Sequence, residues 1–409
     1  MKQSRLLGPF TELVTMEHLP AGGHISDEKL VIIKDAGVVV CDEMITHLGD
    51  FNTLRSLATS IEEVASPSVA IPGLIDAHTH LCYAGTREND YALRLSGYSY
   101  QEIAKRGGGI LDTVNKTRHS SLEDLLSSLV ERANRQVRLG VTTCEVKSGY
   151  GLTIESEVKM LKAIQMAKEQ VSISLIPTCL AAHAKPAEFN TNSEYLEFLT
   201  THLFPILKAN KLSDRIDIFI EEHAFSIQEG ERYLKRAQAE GFKIILHADQ
   251  FSRGGALLAA RLGALSADHL EQSNADDFSA MRKAGVFPIM LPGATLGLGL
   301  PFPPAREALD HQLPLVIASD WNPGSAPMGD LLTQASLLGI QQKLSIAETL
   351  AALTTRAARA LDVYDRGELT IGKRGDIAVF PCGNYKEILY NQGAMKPLTV
   401  FKGGKKTFF

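Results

Sequence analysis

The middle of the chain alternates continuous apolar runs with segments of helical periodicity. Eight such runs lie between about residues 68 and 366: IPGLIDAHTH, VTTCEVKSGYG, VSISLIPTCLAAH, IDIFIEEH, FKIILHAD, ALSADHL, VFPIMLPG and LPLVIASD. Continuous apolar runs are typical of strands that are buried on both faces of a parallel sheet. Amphipathic segments such as LEDLLSSLVERANRQVRLG separate them. The pattern therefore predicts an α/β fold, a (β/α)8 TIM barrel over residues 68–366.

The two ends of the chain have a different pattern. Residues 1–67 consist of short apolar stretches broken by turns, without a sustained helical period. Residues 367–409 repeat this pattern in GELTIGKRGDIAVF and PLTVFKGGKKTFF. We therefore expect a small β-sandwich domain that is built from both chain termini and lies beside the barrel.

Composition narrows the possible functions. The 409 residues carry a formal net charge of −5 and are 44% hydrophobic and 22% charged, which is ordinary for a globular protein and argues against nucleic-acid or membrane-surface binding. The N-terminus has no apolar stretch long enough for a signal peptide. The five cysteines are scattered without a C-x-x-C motif, so we expect free, mostly buried thiols and a cytoplasmic protein.

The first apolar run carries a candidate metal half-site. In IPGLIDAHTHL, His78 and His80 are two positions apart. On a strand this spacing puts both imidazoles on the same face, whereas on a helix they would diverge. Two imidazoles on one face can bind the same ion, so the pair predicts half of a metal site.

Other apolar runs end in residues that can complete this site. His183 follows the third run, His247 ends the fifth, His269 ends the sixth and Asp320 ends the eighth. The carboxyl ends of barrel strands meet at one rim, where barrel enzymes keep their chemistry. We therefore predict one metal ion per subunit, Zn²⁺ or alternatively iron, with this ligand set: His78, His80, His247 and Asp320.

Two of the rim residues also have a predicted catalytic part. An ion of this kind lowers the pKa of bound water from about 15.7 towards roughly 7. Asp320 could take a proton from this water and deliver it to a leaving nitrogen. His269 could hydrogen-bond a developing oxyanion, or it could be an inert neighbour.

The order of motifs resembles the amidohydrolase superfamily over essentially the whole chain. The motifs that carry the resemblance are PGLIDAHTHL, the late HAD, SADHL, ASDWNPGS and the returning GELTIGKRGDIAVF. Members with two metals bridge them with a modified lysine on strand four. The fourth run, IDIFIEEH, has no lysine and Lys147 lies on the second run, so the resemblance favours one metal.

Within this superfamily the chain resembles the imidazolonepropionases. The resemblance rests on AGTREND, Tyr100-Gln101-Glu102-Ile103, RGGGI, SGYGL and SDWNPGS. It implies hydrolysis of the cyclic amide of 4-imidazolone-5-propanoate to N-formimidoyl-L-glutamate, a step of histidine degradation. It also implies that the chain forms a homodimer. The expected binding partner is the small-molecule substrate, with no role for nucleic acid or membrane.

The same resemblance implies substrate contacts. Arg87 in AGTREND matches the arginine that binds the substrate carboxylate, although an ion pair with Glu88 or Asp90 is an alternative. Gln250 would reach the ring and is also a candidate catalytic residue. The remaining implied substrate contacts are Tyr100, Tyr150, His183, Asn322, Gly324 and Ser325. Tyr150 could instead serve as core packing.

Two alternative functions remain. The first is a mononuclear aminohydrolase of a purine, pyrimidine or related ring. Deaminases of this superfamily place a glutamate proton shuttle where this chain has Gln250, and an amide cannot shuttle a proton. The second is a non-catalytic amidohydrolase-like scaffold, which the retention of all four candidate ligands disfavours.

Overall fold

The N-terminal segment forms strands of a small sheet. The computed structural model describes residues 4–98 and 100–407, except for the side chains of Tyr100, Gln101 and Ala104. The first strands are β1 Ser4–Val14, β2 Ile32–Cys41, β3 Met44–Asp50, β4 Ser60–Glu63 and β5 Val69–Pro72. β1 pairs antiparallel with β2 and parallel with both β4 and β5, so it is the centre of this sheet.

The middle of the chain forms a parallel barrel. Its strands are β6 Leu74–Asp76, β7 Val141–Lys147, β8 Ser174–Ala182, β9 Arg215–Ile220, β10 Lys243–Ala248, β11 Ser266–His269, β12 Phe287–Met290 and β13 Val316–Ile317. Within the described residues these eight strands are hydrogen-bonded in chain order. A parallel bridge between Thr79 and Trp321 joins the segments that follow β6 and β13 and so closes the barrel. The predicted (β/α)8 fold is confirmed.

The C-terminal segment returns to the small sheet. It adds β14 Ile377–Phe380, β15 Thr399–Lys402 and β16 Lys405–Lys406. β14 pairs antiparallel with β5, which gives one continuous order, β16-β15-β14-β5-β1-β2-β3. Side chains from both termini, among them Phe10, Val38 and Phe401, share one buried cluster. The predicted terminal β-domain is therefore present, with its strands hydrogen-bonded as one sheet across the described residues.

The described residues also form helices, most of them around the barrel, with the first of them packed against the small sheet. They are α1 Phe51–Leu54, α2 Glu88–Leu95, α3 Tyr100–Lys105, α4 Ile110–His119, α5 Leu122–Arg138, α6 Ile154–Ala167, α7 Asn192–Phe198, α8 Phe204–Ala209, α9 Ile227–Ala239, α10 Gly255–Leu262, α11 Ala275–Ala284, α12 Pro292–Leu298, α13 Ala305–Asp310, α14 Leu331–Gln342, α15 Ile346–Ala352, α16 Thr355–Ala360 and α17 Lys386–Tyr390. The chain also forms two short 3₁₀ helices, Asp27–Lys29 and Arg55–Leu57, and a π-helical segment, Leu199–Leu203. None of the helices in the described ranges is both long and apolar enough to span a membrane.

Helix α5 illustrates why these segments fold as they do. The Ser121 side chain accepts a hydrogen bond from the Asp124 backbone N–H and so caps the first turn. Leu125, Leu129 and Ala133 recur every four residues and are buried, which places one apolar stripe against the barrel. All seven residues of β7 are buried as well, as expected for a strand that is covered on both sides.

The first apolar run is divided between the two sheets, which the sequence did not predict. β5 lies in the small sheet and β6 begins the barrel, with Gly73 between them. A Cβ atom on Gly73 would lie 2.4 Å from the Thr142 side chain, so the backbones approach closely at this crossing. β5 thus falls on the barrel side of the predicted boundary between residues 67 and 68. The ranges 1–67, 68–366 and 367–409 remain a proposal for the domains.

Candidate metal centre and substrate pocket

Both histidines of the first run face the barrel axis. His78 and His80 follow β6, and Thr79 between them points the other way, because its Oγ1 donates to the Glu145 carbonyl oxygen at 2.6 Å. The bridge from Thr79 to Trp321 keeps this segment extended. The predicted alternation of side chains therefore holds, although the pair lies just beyond the end of the strand.

Four ligand atoms converge at the rim. His80 Nε2 lies 3.3 Å from His78 Nε2 and 3.4 Å from His247 Nε2. Asp320 Oδ1 lies 3.4 Å from His78 Nε2 and 3.3 Å from His80 Nε2. Ligands at about 2.0–2.1 Å from a tetrahedral zinc ion lie about 3.4 Å apart. The spacing therefore fits one ion of this size.

The hydrogen bonds of the imidazoles leave the right lone pairs for a metal. His78 Nδ1 donates to Asp268 Oδ2 at 2.6 Å, and His247 Nδ1 donates to Asp217 Oδ2 at 3.0 Å. With the proton on Nδ1, each Nε2 presents a lone pair to the shared point. Burial lowers the pKa of His247 to about 4 and holds that of His78 well below its usual value, so both rings are neutral.

Asp320 is held in a strained but well-supported conformation. Its backbone has a φ of 51°, which is uncommon for a residue with a side chain. Asn322 Nδ2 donates to Asp320 Oδ2 at 2.9 Å, which turns Oδ1 towards the histidines. Burial raises the pKa of Asp320, but its contacts with the His78 and His80 imidazoles outweigh it and hold that pKa well below the usual range.

The chemistry of this donor set fits a metal ion. Neutral imidazole nitrogens and a carboxylate oxygen, all buried, point at one spot, where their lone pairs repel one another unless a cation lies between them. The described residues contain two groups of three that could hold an ion, His78 with His80 and Asp320, and His78 with His247 and His269, and the two groups share His78. Both groups place the ion at the carboxyl ends of the strands.

Asp76 fixes the segment that carries Asp320, a role that the sequence did not reveal. Its carboxylate accepts hydrogen bonds from the Ser319 N–H at 2.9 Å and the Ser319 hydroxyl at 2.5 Å. Gln136 Nε2 donates to the same carboxylate at 3.0 Å. Burial raises the pKa of Asp76 to about 7 despite these bonds. The IDAHTH motif thus positions ligands on both sides of the barrel closure.

His269 lies beside the candidate ligands. Its ring centroid is 5.4 Å from that of His247 and 5.9 Å from that of His78. Burial lowers the pKa of His269, but the nearby Glu271 carboxylate outweighs it, so the net shift is upward. A protonated imidazole at this place can donate a hydrogen bond to a negatively charged oxygen.

Tyr150 and His183 lie beside His80. The His183 ring stacks on that of His80 at 5.3 Å, and the Tyr150 ring lies 5.8 Å from it. His183 Nδ1 donates to the Gly149 carbonyl oxygen at 3.1 Å, which leaves its Nε2 as an acceptor. Tyr150 is also part of the hydrophobic core, so the packing that the sequence left open as an alternative is present.

The turn that carries Tyr150 is held by a buried glutamate. The Glu157 carboxylate accepts the backbone N–H groups of Gly149, Gly151 and Leu152 at 3.0, 2.8 and 2.8 Å. Three such bonds to one carboxylate fix a short turn firmly. The sequence signal for this role was weak, because Glu157 lies inside α6 and looks like an ordinary helix residue.

Arg87 is almost buried, with 8% of its side chain exposed. Its Nε donates to Asp90 Oδ2 at 2.7 Å, and the same oxygen accepts the Gly109 N–H at 2.9 Å. The ion pair that the sequence left as an alternative is therefore present. This ion pair uses the Nε of Arg87. Through Asp90 it connects Arg87 to the loop of Gly107, Gly108 and Gly109.

The turn after Asp320 connects the metal ligands to Arg87. Asn322 Oδ1 accepts the N–H groups of Gly324 and Ser325, each at 2.8 Å. The backbone of Gly324 in turn lies against the Arg87 guanidinium, since a Cβ atom there would be 2.3 Å from Nη1. The implied product-binding residues are thus brought together with Arg87 and Asp320.

The remaining predicted and unassigned residues near the rim differ in how far the structure places them at the site. Gln250 is buried after β10, while Asp249 turns away and accepts the Gly254 and Gly255 N–H groups at the start of α10. His223 is exposed and lies near the Phe251 ring, and it acquires no role. The side chain of Tyr100, an implied substrate contact, lies outside the described residues.

Comparison with known proteins identifies close relatives along the whole chain. A model described as "Amidohydrolase family" matches residues 103–397. The imidazolonepropionase of Bdellovibrio bacteriovorus is 38% identical over 412 residues, which cover 98% of this chain and 96% of that protein. The imidazolonepropionase of Alteromonas mediterranea is 37% identical over 391 residues, which cover 92% of each chain.

Solved structures share the fold at low identity. A triazine hydrolase variant superposes with a TM-score of 0.73 at 15% identity and covers 99% of this chain and 94% of its own. An adenosine deaminase from Xanthomonas campestris with bound zinc has a TM-score of 0.72 at 18% identity, over 99% of this chain and 92% of its own. These similarities support the barrel architecture.

Proposed function

The chain belongs to the amidohydrolase family and, within it, to the imidazolonepropionases, and from this we propose the reaction and the roles of its residues. It is a hydrolase that acts on the C–N bond of a cyclic amide. The substrate is 4-imidazolone-5-propanoate and the product N-formimidoyl-L-glutamate, a step of histidine degradation. The observation that carries the proposal is the turn of residues 320–325, which links a candidate metal ligand to the buried Arg87.

The metal site would hold one ion per subunit. The proposed ligands are His78, His80, His247 and Asp320, and His80 Nε2 lies 3.3–3.4 Å from the ligand atoms of the other three. Zn²⁺ suits three imidazoles and one carboxylate, and iron is the alternative. When bound, the ion supplies Lewis acidity, which lowers the pKa of water from about 15.7 towards roughly 7 and polarises a carbonyl group.

Asp320 is the proton carrier of the proposed reaction. Water adds to the ring carbonyl carbon, the C–N bond breaks, and the former amide carbon becomes a carboxylate. Asp320 accepts a proton from the water and returns it to the leaving ring nitrogen. Its Oδ2 accepts a hydrogen bond from Asn322, which keeps the carboxylate oriented towards the pocket while the proton moves.

His269 stabilises the charge that develops on the carbonyl oxygen. Its ring lies next to those of His78 and His247, and its upward-shifted pKa favours the protonated form, which can donate to an oxyanion. Gln250, buried after β10, is proposed to contact the ring and to assist catalysis as a neutral hydrogen-bonding group.

Arg87 binds the propanoate carboxylate. Asp90 occupies its Nε, so its terminal nitrogens are the ones that would meet the substrate in a forked geometry. Tyr100 is proposed to share this carboxylate, while Tyr150 and His183 contact the ring beside His80. The proposed contacts with the glutamate end of the product are Asn322, Gly324 and Ser325.

Product analysis distinguishes this reaction from deamination. Purified protein with one equivalent of Zn²⁺ per chain should convert imidazolonepropanoate to N-formimidoyl-L-glutamate without releasing ammonia. An aminohydrolase would instead release ammonia from an amino-substituted ring and leave the imidazolone unopened. A folded chain that binds zinc but converts neither substrate would point to a non-catalytic scaffold.

We further propose that the protein works as a homodimer in the cytoplasm. Support for the compartment comes from the five cysteines, all of them described and all free, with four of them buried. Size measurement by analytical ultracentrifugation tests the oligomer, since a mass near 44.5 kDa would identify a monomer.

A further inference from the structure

A buried lysine lies under the candidate metal centre. Lys147 ends β7 and its side chain is fully buried inside the barrel. Its Nζ lies 2.8 Å from Asp217 Oδ2 and 3.0 Å from Glu145 Oε1. Asp268 Oδ2 is 3.6 Å away. One ammonium group thus faces three buried carboxylates, a charged cluster that the proposed catalytic steps do not use.

Two of these carboxylates are the same ones that orient the candidate ligands. Asp217 accepts from His247 Nδ1, and Asp268 accepts from His78 Nδ1. The two acids lie on β9 and β11, on either side of the strand that carries His247. Lys147 reaches both of them from β7, so it connects two acids that belong to different ligands.

Among the described contacts, Lys147 is the only cation that faces these three carboxylates, and two hydroxyl groups donate to them as well. The Thr178 hydroxyl donates to Glu145 Oε1 at 2.5 Å, and the Ser266 hydroxyl donates to Asp268 Oδ1 at 2.6 Å. Removing one charge from a buried ionic group leaves the others uncompensated, which is strongly unfavourable. Without Lys147, the acids would reduce their repulsion by taking up a proton or by moving apart, and either change weakens the acceptors that hold the imidazoles.

We propose that Lys147 is a positioning residue for the metal centre: through Asp217 and Asp268 it fixes the orientation and the tautomer of His247 and His78. In the described part of the chain, its polar contacts are with carboxylates and with none of the candidate ligands. Its contacts also exclude the bridging role that a modified lysine has in two-metal relatives, because its nitrogen is already paired with carboxylates.

The consequence is a preorganised ligand set. The Nε2 atoms of His78 and His247 are held towards the ion because the opposite nitrogen of each ring donates to a fixed acceptor. Loss of groups that hold metal-binding histidines in this way typically weakens metal binding 10–100-fold. The inference rests on the ligand assignment of the proposed function and does not depend on the identity of the substrate.

The test compares Lys147→Met with a matched control. Lys402 is also largely buried and ion-paired, with its Nζ 2.6 Å from Asp376 Oδ2, but its partners lie at the small sheet and at the start of β7. Zn²⁺ affinity is measured by competition with a chromogenic chelator, and the ligand geometry by the visible absorption spectrum of the Co²⁺-loaded protein. Lys147→Met should weaken Zn²⁺ binding about 10–100-fold and alter the Co²⁺ bands. Lys402→Met should change neither by more than about twofold.

Kinetics at saturating Zn²⁺ add a second readout. Lys147→Met should lower kcat while KM for imidazolonepropanoate stays within about twofold, because Arg87 and its turn are untouched. If Lys147→Met does not fold, the double variant Lys147→Met/Glu145→Gln is used instead, because it also removes one of the carboxylates that Lys147 neutralises. Its reference is the single variant Glu145→Gln. Wild-type affinity and wild-type Co²⁺ bands without Lys147 would overturn the inference. Failure of the wild-type chain to bind zinc would instead overturn the proposed function.

Discussion

The guanidinium of Arg87 rests directly on the backbone of Gly324, across 237 positions of the chain. A methyl group at Gly324 would lie 2.3 Å from Arg87 Nη1, so only glycine leaves room for the arginine in this position. Gly324 also belongs to the turn that Asn322 ties to Asp320. The distance between the proposed carboxylate site and the proposed metal site is therefore set by one short turn.

Gly324→Ala should displace Arg87 and weaken substrate binding. The φ of Gly324 is compatible with alanine, so the expected effect is steric and local. Loss of one good hydrogen bond to a charged group corresponds to roughly 1.5–3 kcal/mol, so KM should rise about tenfold or more with kcat little changed. Steady-state kinetics check this, with Gly339→Ala in α14 as the control. An unchanged KM would remove this contact from the substrate site.

Arg87→Lys should separate charge from geometry. Lysine keeps a cation beside Asp90 but lacks the planar fork that matches a carboxylate. We expect KM for imidazolonepropanoate to rise about tenfold or more, with kcat and Tm near those of the wild type. Arg306→Lys, at an arginine paired with the buried Glu348, is the matched control. Equal kinetics for the two variants would contradict the assignment of Arg87.

Substitutions of Asn322 should separate the role of its Nδ2, which donates to Asp320, from that of its Oδ1, which accepts from the turn. Asn322→Ala removes the donor to Asp320 and the acceptor for the turn, so kcat should fall and KM should rise. Asn322→Asp keeps the acceptor for the Gly324 and Ser325 N–H groups but places a carboxylate against Asp320. It should lower kcat by about 10–100-fold, while KM stays closer to that of the wild type than in Asn322→Ala. Identical KM values for both variants would argue against separate roles for the amide nitrogen and the amide oxygen of Asn322.

His269→Asn should impair turnover without removing the metal. Because His269 is proposed to donate to the oxyanion rather than to bind the ion, kcat should fall about 10²–10³-fold. Zn²⁺ content, measured by atomic absorption, should stay near one per chain. His223→Asn, an exposed rim histidine, serves as the control. Loss of zinc in His269→Asn would favour the alternative group, His78, His247 and His269, as the ligand set.

The sequence predicted the barrel and the convergence of its rim residues for a simple physical reason. Parallel strands in chain order bring their carboxyl ends to one rim, so residues that end different apolar runs become neighbours. His247 and Asp320 could therefore be linked to His78 without knowledge of any distance. The alternation that selected His78 and His80 also holds, because Thr79 between them binds to the neighbouring strand.

The supporting contacts could not be predicted, because they depend on how loops and interior side chains meet after the barrel closes. Lys147 was identified only as a lysine on the wrong strand for a bridge, and nothing in its local sequence points to Asp217 or Asp268. Arg87 and Gly324 meet only because the segments after β6 and β13 pair through Thr79 and Trp321. The division of the first run at Gly73 follows from a tertiary crossing that hydrophobic patterning does not encode.

We propose that one metal ion, held at the rim by three histidines and Asp320, is required to open the imidazolone ring. The most direct test is to strip the protein with a chelator and to follow N-formimidoyl-L-glutamate formation while Zn²⁺ is added back. The stripped chain should have less than about one hundredth of the loaded activity, since the ion supplies the activated water. Activity should then rise linearly to a break at one equivalent per chain. Full activity without metal, or a break at two equivalents, would show that a single bound ion does not open the ring.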